Sequence, residues 1–171
     1  KTTRNILVKV LTLSGVEAGE NKDIIADSIL DWIDDDNNHR LNGAESEFYQ
    51  GLTPPYLPKN APIENLDELI KIRGIDKNIL YGTDQHPGLN QFFTVYNVER
   101  VNPNTSSLET LSAAFSLTQA KMILKKREKK GFYDSTKSNY FKVTSTGKIE
   151  GSATNHTIVA VMQKILKKTG P

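Results

Sequence analysis

The chain has 171 residues, 37% of them hydrophobic and 25% charged, with 22 basic residues against 20 acidic ones for a net charge of +2. That length suffices for one core, or a core with a small lobe, and the charge balance excludes an overall polyanion-binding character. Cysteine is absent, which excludes disulfides and thiolate metal sites; no apolar run is long enough to span a bilayer and no signal peptide is present, so a chain that starts at Lys1 is expected to be a fragment or processed product whose anchor has been removed.

The first predicted element is a short helix carrying Ile6, Leu7, Val10 and Leu11, with Thr3 as its cap and an end near Gly15. The segment "NKDIIADSILDWI" then repeats Ile25, Ile29, Trp32 and Ile33 at the spacing of a one-faced helix. A second face of that helix carries Asp23, Asp27, Asp31 and Asp34. Like charges so placed weaken an isolated helix by roughly 0.2–0.5 kcal/mol per pair. The acidic stripe runs directly into "DDDNNHRLNGAE", residues 34–45, and acids crowd the whole interval 17–47.

After this, "TPPYLPKNAP" is a proline-bearing connector that cannot be helical throughout. Asn65 with Glu68 predicts a capping box for "LDELIKIRG", stopped by Gly74. "QFFTVYNVERV" reads as extended and β-prone. Ser106 with Glu109 and Ser116 with Gln119 mark two further helix starts, with Leu108, Leu111 and Phe115 in the first body, Ile123 and Leu124 in the second, and Gly131 closing the second. The last 33 residues change character: "NYFKVTSTGKIE" and "HTIVAVMQKI" are β-rich and joined by turns. The expectation is an α+β chain in which a mostly helical domain, 1–137, precedes a small antiparallel β element, 138–171. No solenoid repeat or low-complexity tract interrupts it.

The acidic loop is the strongest chemical signal. With Asp34 as position 1 of a twelve-residue calcium loop, positions 1, 3 and 5 are Asp34, Asp36 and Asn38, all oxygen donors. Position 7, Arg40, offers its backbone carbonyl, position 8 is the apolar Leu41, and position 12 is Glu45, the place of a bidentate glutamate. Position 6 is His39 where an EF-hand needs glycine, so the pattern reads as an oxygen-rich calcium loop within 31–47 rather than a true EF-hand. Asp31 and Glu47 are candidates for a second or shared ion. Hard oxygen donors without thiolates or clustered histidines select Ca2+ over zinc. The competing account is a solvated acidic run; the ordered spacing and the converging Asp31 favour calcium.

A second signal is a pair of helix-hairpin-helix-like segments, "ENLDELIKIRGIDKNIL" and "VNPNTSSLETLSAAFSLTQAKMILKKREKKGF", the latter bearing the basic run Lys121, Lys125, Lys126, Arg127, Lys129 and Lys130. Nucleic-acid-binding hairpins offer phosphate the amides of a Gly-rich turn. The first segment keeps only Gly74 and the second has "AAFSLT" at its turn, so a packing module with a solvated lysine face is favoured and no nucleic acid is expected. His39, His86 and His156 are scattered, with no nucleophile motif beside them and no phosphate-cradling loop, so no catalytic residues are assigned and an enzyme is not expected.

The order "ADSILDWIDDD…RLNGAE…PPYLPKNAPIENLDELIKIRGI", then "FFTVYN", "VNPNTSSLETL" and "SNYFKV", resembles the type II secretion minor pseudopilin K family, also called general secretion pathway protein K. The resemblance covers nearly the whole chain from about Asn5, and "DWIDDD…RLNGAE" is its most specific part. It implies a pilin-like protein whose β-bearing head carries a large inserted helical domain, placed at the tip of a periplasmic pseudopilus beside the minor pseudopilins I and J. It also implies calcium in the head, and an inner-membrane anchor in an N-terminal pilin helix that, with the prepilin cleavage site, is not among these residues. The short stretch between Gly131 and Ser138 implies a minimal β element. The rival class is a helix-hairpin-helix nucleic-acid-binding protein.

Overall fold

Apolar periodicity decides the first half of the fold. The computed structural model describes residues 3–96, 100–151 and 153–164, with an α-helix α1 at Thr3–Leu13 and a second, α2, at Glu20–Ile33. Leu7, Val10 and Leu11 of α1 are buried, as are Ile25, Ile29 and Trp32 of α2, and the two helices pack on each other through these faces. Each such side chain contributes roughly 1.5–3 kcal/mol by leaving water. Thr3 is itself helical rather than the cap before the helix.

The same cluster takes in Ala44, Tyr49 of the short helix α3 (Ser46–Gln50), Leu69 and Ile72, Leu80 of α4 (Lys77–Tyr81), and Leu89. The connector over 53–65 is irregular, with a cis peptide bond before Pro54. Asn65 does cap, accepting from Asp67 N, but it opens a 3-10 stretch, Leu66–Lys71, and the capping box does not close. Glu68 turns instead toward Trp32 Nε1 (2.8 Å) and Lys59 Nζ (3.1 Å). Gly74, at φ 84°, ends the segment as expected; a Cβ there would lie 2.7 Å from Ile25 Cγ1, so the residue allows close approach to α2. The first hairpin-like segment is therefore a 3-10 stretch followed by a five-residue helix.

"QFFTVYNVERV" is not a strand where it is described. Gln91 ends a second 3-10 turn (Leu89–Gln91), and Phe92 and Phe93 pack down onto the core from irregular backbone. Aromatic content gave β-propensity, but the rings are spent on the core rather than on a ladder. Residues 97–99 of that stretch lie outside the described residues.

Two helices follow. The helix α5 spans Leu108–Ala114 and α6 spans Leu117–Lys130. The cap of α5 is Ser107, accepting from Thr110 N, one residue after the expected Ser106. Ser116 caps α6 by accepting from Gln119 N, and Gly131 closes it in the left-handed conformation, both as expected. Leu111, Ala120 and Ile123 form a second buried cluster with Leu108, Phe115, Leu124 and Tyr133 against it. Asn104 ties the stretch before the hairpin to this unit: its Oδ1 accepts from Tyr133 N (2.7 Å) and its Nδ2 donates to Thr136 O (2.9 Å).

The chain ends its described part in an antiparallel hairpin, β1 (Tyr140–Lys148) and β2 (Asn155–Gln163), in register from Tyr140 opposite Gln163 to Lys148 opposite Asn155. Opposite residues share a face, which places Phe141, Val143, Ala160, Ile158 and Met162 together on one side. No residue of either strand is buried. The fold is α+β, with helices dominating and, among the described residues, one two-stranded sheet.

Candidate functional site

The acidic stripe is not a solvated face. Asp27 is 4% exposed and Asp31 0%, because α2 turns this face toward α1 and the loop that returns over it. Buried carboxylates need partners, and two arginines supply them. At the first half of the helix, Arg4 of α1 donates from Nη2 to Asp23 Oδ1 and from Nε to Asp27 Oδ1, both at 2.6 Å. Asn42 completes the pair by donating to Asp27 Oδ2 at 3.1 Å. Burial works against the Asp27 carboxylate, yet the hydrogen bonds from Arg4 and Asn42 outweigh it and hold its pKa low. The bonds to Asp27 and then Asp23 push Arg4 up correspondingly.

At the second half, Arg40 Nη1 lies 2.5 Å from Asp31 Oδ1 and 2.6 Å from Asp34 Oδ2. Its backbone N–H also faces both Asp31 oxygens, at 3.3 and 3.2 Å. Contact with Asp34 and then Asp31 raises the Arg40 pKa. The loop approaches Asp31 closely because of Gly43: a Cβ there would stand 1.7 Å from Asp31 Oδ2. Arg73 fixes that turn from the other side, donating to Gly43 O at 3.1 Å while its guanidinium sits 4.7 Å over the Phe48 ring.

Glu45 is left over. It is 4% exposed, and neither of its carboxylate oxygens has a hydrogen-bond partner. Asp34 Oδ1 beside it is likewise buried and unpartnered. Burial, then the charges of Asp31, Asp34 and Asp36, push the Glu45 pKa up to about 7. A buried carboxylate among three others, with no donor aimed at it, is an arrangement that favours a hard cation.

The remaining loop residues stand further out. Asp36 and Asn38 are exposed, with the Asn38 N–H donating to Asp36 Oδ1 at 2.7 Å, and Glu47 is exposed on α3. Arg40 enters the cluster through its guanidinium, whereas its carbonyl accepts from Gly43 N at 3.0 Å and lies 2.9 Å from His39 Nδ1. Leu41 is 93% exposed and does not anchor the loop. Among the described residues, no three His, Cys, Asp or Glu side chains are arranged to hold an ion as they stand. The residue types, carboxylates and a side-chain amide, are those that calcium takes, and Asp36 and Asn38 stand on the exposed side of the loop. The sequence reading missed Asn37, whose Oδ1 accepts from Ser46 N (3.2 Å), and Gly43, whose signal was a small residue two positions before the glutamate.

The basic run is mostly solvated on α6, except that Arg127 donates to Pro103 O and Ser106 O and Lys126 lies 4.8 Å over the Tyr133 ring. His39, His86 and His156 sit in the acidic loop, beside Gly15 and on β2. No helix of the described residues is long and apolar enough to cross a membrane.

Residues 2–82, which contain the whole acidic neighbourhood, match the family profile described as type II secretion system (T2SS), protein K. The chain is 43% identical over 70 residues to a putative type II secretion system protein K of Escherichia coli K12, covering 41% of this chain and 21% of that protein. It is 30% identical over 108 residues to the type II secretion system protein K of Klebsiella pneumoniae, covering 61% and 33%. To that of Aeromonas hydrophila it is 31% identical over 132 residues, covering 74% and 38%. The chain thus spans from about a fifth to under two fifths of the length of these relatives, 21% to 38%. Among solved structures, a chain of the GspK-GspI-GspJ complex from enterotoxigenic Escherichia coli superposes with a TM-score of 0.66 at 17% identity, over 96% of this chain and 66% of that one. At that identity the likeness bears on the fold.

Proposed function

We propose that the chain, whose residues 2–82 match the type II secretion system protein K profile, is part of the head of a structural minor pseudopilin of that family, without enzymatic activity, that caps a pseudopilus tip together with the I and J minor pseudopilins. In this reading residues 1–137 are the inserted helical domain and 138–171 belong to the β-bearing head. The head works on the periplasmic side of the inner membrane of a Gram-negative bacterium, where the full-length protein is anchored by an N-terminal helix. The solved relative that supports the partner assignment is a complex with I and J components. The test is co-purification: this chain, mixed with the I and J heads from the same bacterium in millimolar-range calcium, is expected to elute as one complex, and three separate peaks would refute tip assembly.

Calcium belongs to the same proposal, and the observation that carries it is Glu45, a buried carboxylate without a donor. Asp31, Asp34 and Glu45 would hold the ion from the buried side, with Asp36 and Asn38 closing from the exposed loop. The ion would supply positive charge beside the unpartnered Glu45, so that the loop keeps one geometry. Calorimetric titration tests this directly: heat of binding with calcium and little with magnesium is expected, since magnesium dehydrates reluctantly and demands a tighter octahedron.

A further inference from the structure

The geometry points to Arg40 as a resident cation of the acidic cluster, one that calcium must displace, so that this side chain sets the affinity of the site. The inference rests on the calcium reading above. Arg40 Nη1 occupies the position between Asp31 Oδ1 and Asp34 Oδ2, within 2.6 Å of each. These are oxygens that a metal ion would also need. One guanidinium brings a single positive charge, and it satisfies two of the acids while leaving Glu45 and the second Asp34 oxygen without partners. A divalent ion answers the unmet charge better, but it cannot share the space with a guanidinium.

The exchange is sterically open. The Arg40 side chain is 40% exposed, so it can swing toward solvent without leaving a hole in the core, whereas Asp31 is fully buried and fixed. Without the ion, Arg40 keeps Asp31 compensated and the loop closed over α2. With the ion, Arg40 is repelled outward. The apparent affinity is then reduced by the fraction of molecules in which Arg40 is already out.

The test is a set of calcium titrations by calorimetry, with melting of the same proteins in chelator. Arg40→Met keeps the aliphatic stem and removes the charge. It is expected to bind calcium roughly tenfold more tightly while its chelated form melts roughly 5 °C lower. A merely structural arginine would lower the melting temperature without tightening calcium. Arg4→Met removes the same charge from the first half of the stripe and should change calcium affinity by less than roughly twofold; tightening equal to that of Arg40→Met would overturn the displacement mechanism in favour of long-range charge alone. Unchanged or weaker binding by Arg40→Met, with the parent still binding calcium, would overturn it too and leave the calcium site standing. No binding by parent or variant refutes the site itself. If Arg40→Met does not fold, Arg40→Lys serves: an ammonium bridges two carboxylates less well, so tighter binding than the parent supports the proposal and equal or weaker binding overturns it.

Discussion

The two halves of α2 solve the same problem with different results. Each half presents two aspartates one turn apart to one arginine from a neighbouring segment. In the first half the account closes: Arg4 takes Asp23 and Asp27, and Asn42 takes the remaining Asp27 oxygen. In the second half the loop adds a third carboxylate, the buried Glu45, and nothing for it to bond. Acid count alone does not separate the two; the surplus does. A stripe of aspartates is structural where arginine and amide match it, and is a candidate ion site where one carboxylate is left over.

The sharpest way to break the comparison is Glu45→Gln, which should act in opposite directions with and without calcium. An ion bound only to the folded form stabilises by about 2.7 kcal/mol at one hundred times Kd. For a chain of this size that raises the melting temperature by roughly 5–10 °C, and Glu45→Gln should abolish most of the gain. In chelator the sign reverses. The Glu45 pKa is raised from 4.5 to about 7, so between those values the folded chain holds a proton that the unfolded chain has released. Stability from this group therefore falls as pH rises through that window and levels off above it. The metal-free variant should be more stable than the parent at about pH 8, by up to roughly 3 kcal/mol, and the difference should vanish by about pH 4.5. Denaturant melts at the two pH values would show it; equal stability at the higher value would mean Glu45 has found a partner.

Gly43→Ala comes next. The added methyl must displace Asp31, which is pinned by the Arg40 backbone and side chain, so a loss of roughly 1–3 kcal/mol is expected, along with weaker calcium binding. Asp27→Asn probes the matched half. It should cost roughly 1 kcal/mol and leave the calcium response intact. Because the folded Asp27 pKa is lowered from 3.8, its contribution is present at neutral pH and is lost as pH falls through the folded value, the opposite sense to Glu45. The smallest effect belongs to Asp35→Asn: the residue is exposed, and both stability and calcium response should stay within roughly 0.5 kcal/mol of the parent. A larger effect there than at Glu45 would mean that the loop register is wrong.

What could be read in advance was what depends on local spacing. The one-sided apolar pattern of "NKDIIADSILDWI", the Ser116 cap, the Gly131 stop and the β-rich composition of the last two segments each specify an element through neighbours in sequence. The failures share a distant partner. Glu68 abandons its box for Trp32, 36 residues away, and Phe92 and Phe93 leave the extended pattern to reach the core. The acidic cluster divides in the same way. The run of acids from Asp31 to Glu45 was legible, but a loop-position argument gave Arg40 only a carbonyl, and its guanidinium appeared once the chain had folded back over α2. Arg4 carried no signal at all, because its pairing depends on how α1 crosses α2.

Trp32 also makes the molecule its own optical probe. It is the sole indole in the sequence, 2% exposed, with Tyr49 edge-on at 5.2 Å and Tyr56 at 6.4 Å. Its ring nitrogen donates to Glu68, and its backbone is bonded directly to Asp31. Emission from a shielded ring of this kind is blue-shifted and fed by energy transfer from the adjacent phenols. A change that reaches Asp31 is thus one peptide unit from an intrinsic fluorophore, whose intensity can be followed in a cuvette without a label.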